Sequence, residues 1–138
     1  MQTKENRRKV RVRLSHMTLP VLMGSIGSEV RYNLLTKDLS NHGFFLDFEK
    51  PGRFPFTPDS IMEIWLTLDK GNTIFFNGKM ARVVHPKDEA AKFTGPGIAV
   101  RIVQIEPEQE KLLHNFIAEK LETKEAVEVT ANGQKVDS

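Results

Sequence analysis

The sequence predicts a mainly β protein: a six-stranded antiparallel β-barrel with one C-terminal α-helix. Three observations carry this. Residues 62–69 read MEIWLTLD, so Met62, Ile64, Leu66 and Leu68 alternate with Glu63, Trp65, Thr67 and Asp69, the two-residue period of a strand with one buried face. Short apolar runs of this kind recur along the chain, separated by clusters rich in Gly, Pro, Asn and Asp, which is how antiparallel β proteins are punctuated. After Ile105 the period changes to that of a helix. A chain of 138 residues with this pattern is one domain with one core, its strands rolled into a small barrel and its helix closing an end or side.

In chain order, residues 1–14 hold Lys4, Arg7, Arg8, Lys9, Arg11 and Arg13 against Glu5, and read as a flexible basic arm. The barrel and helix are expected over residues 15–121. LPVLMG (19–24) gives a first strand, with Pro20 suited to a strand start or edge. GSIG (24–27) has the GxxG form of certain RNA-binding loops, but those lie between helices and this one is flanked by strands, so it reads as a turn. EVRYNLLTK (29–37) and FFLDFE (44–49) are expected as neighbouring strands on either side of the polar turn DLSNHG (38–43), with Phe44, Leu46 and Phe48 on one face. Three prolines make PGRFPFTPD (51–59) a loop. The strand at 62–68 turns through DKGN into TIFFNGKMARVV (73–84), and HPKDEAAKFTGP (85–96) leads to the last strand, GIAVRIVQI (97–105). Glu106 can cap a helix in which Pro107 occupies the first turn, and Leu112, Leu113, Phe116, Ile117 and Leu121 recur at helical spacing. Residues 122–138 are polar and read as a disordered tail, although AVEVTA (126–131) can add a short strand.

Composition removes several kinds of chemistry. There is no cysteine, hence no disulfide, thiolate metal site or cysteine nucleophile, which fits a reducing cytoplasm. No run approaches the roughly 20 apolar residues of a membrane helix, and no apolar signal-peptide core follows the cationic start. His16, His42, His85 and His114 fall on different elements, none at metal-ligand spacing. NGKM contains Gly-Lys but lacks the upstream glycine and the following Ser or Thr of a phosphate loop, and no GxSxG or HExxH occurs. A soluble cytoplasmic protein with no catalytic site, metal or cofactor is expected. The net charge of +2 is concentrated in the arm, and the remainder is acidic. That distribution describes one arm gripping one anion rather than a groove for a long nucleic acid.

Two spacings then stand out: RxxxR at Arg7 and Arg11, and DxSxxG at Asp38, Ser40 and Gly43. Each alone has a bland reading, a solvated arm or a hairpin turn. In this order and inside this strand pattern they resemble the PilZ domain, the bacterial receptor module for cyclic di-GMP. The resemblance runs from about Arg7 to Leu121 and takes in GIAVRI (97–102). It implies that Arg7 and Arg11, with Arg8 helping, hold the ligand's phosphates and guanine edges. Asp38, Ser40 and Gly43 would line the barrel side, and Asn41 would add a backbone or amide contact. His42 occupies a variable position of the motif, where an exposed turn residue is expected.

The residue types suit that ligand, a compact dianion with two guanines. A guanidinium can bond the O6 and N7 edge of guanine, bridge phosphate oxygens and lie flat on a purine. A carboxylate accepts from guanine's N–H groups. Asn6 stands where many members of the family carry a further arginine that helps hold a second, stacked ligand, so one or two bound molecules are both open. Ala99 stands where the family often has glycine, and Trp65 is expected on the outward face of its strand, covered by the C-terminal helix or tail, turned to a partner or supporting the ligand.

The implied function is a receptor that orders its arm over the barrel on binding and signals to an unidentified partner protein in motility, biofilm or pilus regulation. One alternative is a PilZ-like interaction module that does not bind the nucleotide. Another is a small barrel binding single-stranded nucleic acid, disfavoured because its stacking aromatics would have to be exposed, and the phenylalanines fall mostly in register with core positions.

Overall fold

Alternating burial turns the predicted strands into a closed sheet. The computed structural model describes residues 11–130 and 135, so Asn6, Arg7 and Arg8 lie outside the described residues. Its elements are β1 (Arg11–Leu14), β2 (Leu19–Ser25), β3 (Tyr32–Ser40), β4 (Gly43–Asp47), β5 (Met62–Thr67), β6 (Thr73–Val84), a short helix α1 (Ala91–Thr94), β7 (Gly97–Ile105), α2 (Pro107–Glu122) and β8 (Ala126–Val129). Every strand pairing is antiparallel, and the order β2-β5-β6-β7-β4-β3 closes on itself through β2–β3. This is the expected six-stranded barrel.

Its interior is filled by the inward residues of each strand, among them Val21, Met23, Leu39, Leu46, Met62, Ile64, Ile74, Phe76 and Ile98. Each such side chain, fully removed from water, contributes roughly 1.5–3 kcal/mol. Helix α2 adds Leu113, Phe116 and Ile117 to the same core, while Leu112 faces outward. Glu106 is the residue before the helix, but its side chain makes no capping hydrogen bond. The GSIG turn is present: Ser28 N–H donates to the Ser25 carbonyl at 3.0 Å, and Gly27 takes φ +83°, which a side chain would oppose. No described helix is long and apolar enough to cross a membrane.

The structure moves both expected boundaries. The arm was expected to extend to residue 14, but Arg11–Leu14 form β1, because Val12 and Leu14 alternate with the two arginines and bury themselves in the core. Residues 122–138 were expected as a disordered tail in which AVEVTA could add a short strand, and Ala126–Val129 do form that strand, β8, paired with β1 along its whole length. The chain reverses there because Lys124 adopts φ 64°, letting Glu125 N–H donate to the Lys120 carbonyl (2.9 Å) and Lys124 N–H to that of Leu121 (3.2 Å). Lys120, buried at the end of α2, bonds Asp69 (2.5 Å) and Glu125 (3.3 Å). Its pKa is raised, chiefly by the bond to Asp69. Trp65 does lie on the outer face of β5, flanked by Phe75 (ring centroids 5.1 Å apart) and the Arg31 guanidinium (4.9 Å).

A third difference shapes the site. DLSNHG was expected to be a turn; instead β3 continues through Asp38, Leu39 and Ser40, leaving only Asn41 and His42 as the turn. Between Thr36 and Asp38 the pairing with β4 slips by one residue, so Lys37 is the extra residue of a β-bulge. Without it, Leu34 and Thr36, which face inward, would be followed inward by Asp38. The bulge reverses the phase, placing Leu39 in the core and Asp38 on the outer face. Thr36 secures it: its hydroxyl donates to the Phe45 carbonyl (2.5 Å) and accepts from Asp38 N–H (3.3 Å). Thr36→Val keeps the shape but leaves both groups without that hydroxyl, and is expected to lower stability by about 1–2 kcal/mol. An unchanged urea midpoint would show that the bulge stands without it.

Candidate ligand-binding site

The cross-strand register sets out the site as two rows on the outer face of the sheet. In the first, Arg11 of β1 lies opposite Ser40, Ser40 opposite Gly43, Gly43 opposite Arg101 and Arg101 opposite Lys79. In the second, Arg13 lies opposite Asp38, Asp38 opposite Phe45, Phe45 opposite Ala99 and Ala99 opposite Arg82. The middle of both rows is built of small side chains and one flat ring, with longer cations at the edges. The result is a cleft of about 180 Å³ lined by Arg11, Asp38, Ser40, His42, Gly43 and Arg101, with Phe45 and Ala99 on its floor.

Asp38 is its electrostatic centre. Its side chain is 1% exposed, with Arg13 Nε donating to Oδ1 at 3.2 Å and an Arg11 guanidinium nitrogen 3.8 Å from Oδ2. That second separation lies within ion-pair reach but is too long for a hydrogen bond, and Oδ2 is left without a hydrogen-bond partner. A buried carboxylate oxygen in that condition is an acceptor waiting for a donor. Arg11 lies over the Phe45 ring, 5.9 Å from its centroid. Its pKa is lowered by burial first and by Arg82 and Arg13 next, against the opposing pull of Asp38; an arginine remains charged throughout. Nearby, burial raises the pKa of Asp47, and the charge on Asp38 adds to that, while Lys37 and Arg13 oppose it.

Of the residues singled out in the sequence, the structure gathers Arg11, Asp38, Ser40 and Gly43 into one cleft with His42 on its rim. Ser40 Oγ accepts from His42 N–H at 3.1 Å and so shapes the turn. Asn41 lines a separate hollow with Ile102, Gln104 and Glu110, where its Oδ1 is buried without a partner. Sequence reasoning missed Arg13 as the closer partner of Asp38, Phe45 as the floor and Arg101 as the opposite wall. Two of these left a signal: Arg13 is two residues from Arg11 and so shares its face, and Phe45 is the apolar residue on the polar side of FFLDFE.

A family model described as PilZ domain matches residues 5–119 of the chain. No curated protein matches it. Among solved structures, the PilZ domain of YcgR from Escherichia coli with c-di-GMP has a TM-score of 0.60 at 18% identity, covering 86% of this chain and 92% of that one. The K. pneumoniae MrkH–c-di-GMP complex has a TM-score of 0.62 at 20% identity, covering 86% of this chain and 53% of that one. Bacillus subtilis inhibitor of motility, MotI/DgrA, has a TM-score of 0.61 at 17% identity, with 86% and 53% covered. The chain thus spans about half the length of MrkH and of MotI/DgrA, and at these identities the likeness is one of fold.

Proposed function

We propose that this chain, which belongs to the PilZ domain family, is a receptor for cyclic di-GMP that passes the binding event to a protein partner without catalysis. The observation that carries the reading is Asp38: a carboxylate removed from water, held between two arginines at the edge of a small-residue floor, with one oxygen unbonded. Guanine's N1–H and exocyclic amine are donors of the kind that oxygen lacks. Arg11 beside it offers a planar fork to phosphate or to a guanine edge, and its place over Phe45 leaves the guanidinium plane suited to a purine face. The solved complexes of YcgR and MrkH with c-di-GMP, which share the fold, support the same ligand.

A cleft of about 180 Å³ is smaller than the roughly 300–1,000 Å³ of pockets that engulf a ligand, so it receives one part of the dinucleotide while the remainder lies over the surface. Arg7 and Arg8, upstream of β1, then close over that exposed part, and the new surface is what the partner reads. Arg11 itself sits on β1 beside Asp38, so the ordering step belongs to the residues before it.

Calorimetric titration with cyclic di-GMP, alongside protease protection of residues 5–10, tests this. Wild-type protein is expected to bind and to gain protection, and an excess of unrelated oligonucleotide should leave binding intact. Arg11→Ala is expected to weaken binding tenfold to more than a hundredfold, about 1.5–3 kcal/mol for a charge-assisted contact. Silence from the wild-type chain would end the receptor reading, and undiminished binding by Arg11→Ala would take that arginine out of the site.

A further inference from the structure

The far edge of the cleft carries charge that neither motif accounts for. Lys79 and Arg82 on β6 and Arg101 on β7 share the outer face with Arg11, and among the described residues the side chain of none of the three makes a hydrogen bond or ion pair. Three strand spacings of about 4.8 Å separate Arg101 from Arg11, roughly 14 Å along the sheet, with only Ser40 and Gly43 between them in the row. Resting on the cyclic di-GMP reading, we propose that Lys79, Arg82 and Arg101 form a second cationic wall that binds the phosphate facing away from Arg11.

Charge balance calls for such a wall. Asp38 draws on both arginines of β1 that face a ligand with two negative charges, and Lys79, Arg82 and Arg101 add cations on the opposite side. Folding also places these cations deliberately. Lys79 and Arg82 are three residues apart, so in an unbroken strand they would face opposite sides of the sheet. The pairing of β6 with β7 slips between Met80 and Arg82, and the extra residue, Ala81, brings both onto the outer face while Met80 stays opposite the buried Val100. Arg82 is close enough to depress the pKa of Arg11, so the two walls repel across the floor. An anion seated between them removes that repulsion, and a cyclic dinucleotide, with a phosphate on either side of its ring, meets both walls at once.

The test compares cyclic di-GMP affinity in wild type, in Arg82→Gln/Arg101→Gln, and in Lys111→Gln/Lys124→Gln, which removes the same net charge from α2 and its C-terminal turn, outside the cleft. The cleft variant is expected to bind about tenfold or more weakly, as for loss of a charge-assisted contact, with its melting temperature unchanged because these side chains are exposed and unpartnered. The control should bind as wild type does. Equal affinity of the cleft variant and wild type, or an equal fall in the control, overturns the wall while leaving the receptor reading intact. A wild-type chain that gives no binding overturns the receptor reading, and the wall with it.

Discussion

Asp38→Ala is expected to abolish measurable cyclic di-GMP binding and to lower stability by about 2 kcal/mol. The carboxylate pairs with both Arg11 and Arg13, and its removal takes a shared counter-charge from two guanidiniums on the same face of one strand. Burial already disfavours the charge on Arg11, and Asp38 is what opposes that. The loss falls below the about 3–5 kcal/mol of a fully buried pair because the arginine side chains keep 17% and 25% of their surface in water. Binding suffers more than folding. The ligand loses the acceptor for its guanine donors, and both arginines lose the partner that fixes their directions, so the fall should exceed a hundredfold. Asp38→Asn separates the two effects: its amide keeps an oxygen for Arg13, but offers guanine's donor edge a second donor. It should therefore fold nearly as well as wild type and still fail to bind. Wild-type affinity in Asp38→Asn, by calorimetry, would show that the carboxylate serves the fold alone.

Much of this architecture is legible in the sequence, and the reasons for the gaps are local. Met62–Leu68 and Phe44, Leu46 and Phe48 announce their strands because one face of each is apolar and the other is not. DLSNHG misleads because Asp, Ser, Asn and Gly all favour turns, and the pairing of Asp38 and Ser40 with β1 and β4 overrides that preference. A hint was present: Leu34 and Thr36 keep one phase and Leu39 breaks it, which is what a single-residue bulge does to a sequence. In β1, the charge of Arg11 and Arg13 masked the apolar Val12 and Leu14 between them, so a strand passed for an arm. The opposite wall was out of reach. Lys79, Arg82 and Arg101 come together only through the register of β6 with β7, which contains two irregularities that no spacing rule anticipates.

Gly43→Ala is expected to cost about 3 kcal/mol or more, at the upper end of what overpacking does, and to lower Tm by roughly 10 °C. A Cβ on this residue would stand 2.0 Å from the Val100 carbonyl oxygen and 3.0 Å from the Arg101 Cα. Both are backbone atoms of β7, so no rotamer change can relieve the contact, and β4 must part from β7 at the Gly43–Arg101 pair. The backbone angles at Gly43 are open to any residue, and what the position lacks is space. The last glycine of DxSxxG therefore owes its place to two strands in contact beneath the cleft, and only through them to the ligand. Separating those strands moves Ser40 away from Arg101, so affinity should fall along with stability. Gly52→Ala is the matched control: its Cβ would meet nothing within 4 Å, and its Tm should stay within about 1 °C of wild type. A Gly43→Ala protein that melts with wild type and loses only affinity would instead mean that β7 can yield, and that the glycine is kept for contact with the ligand.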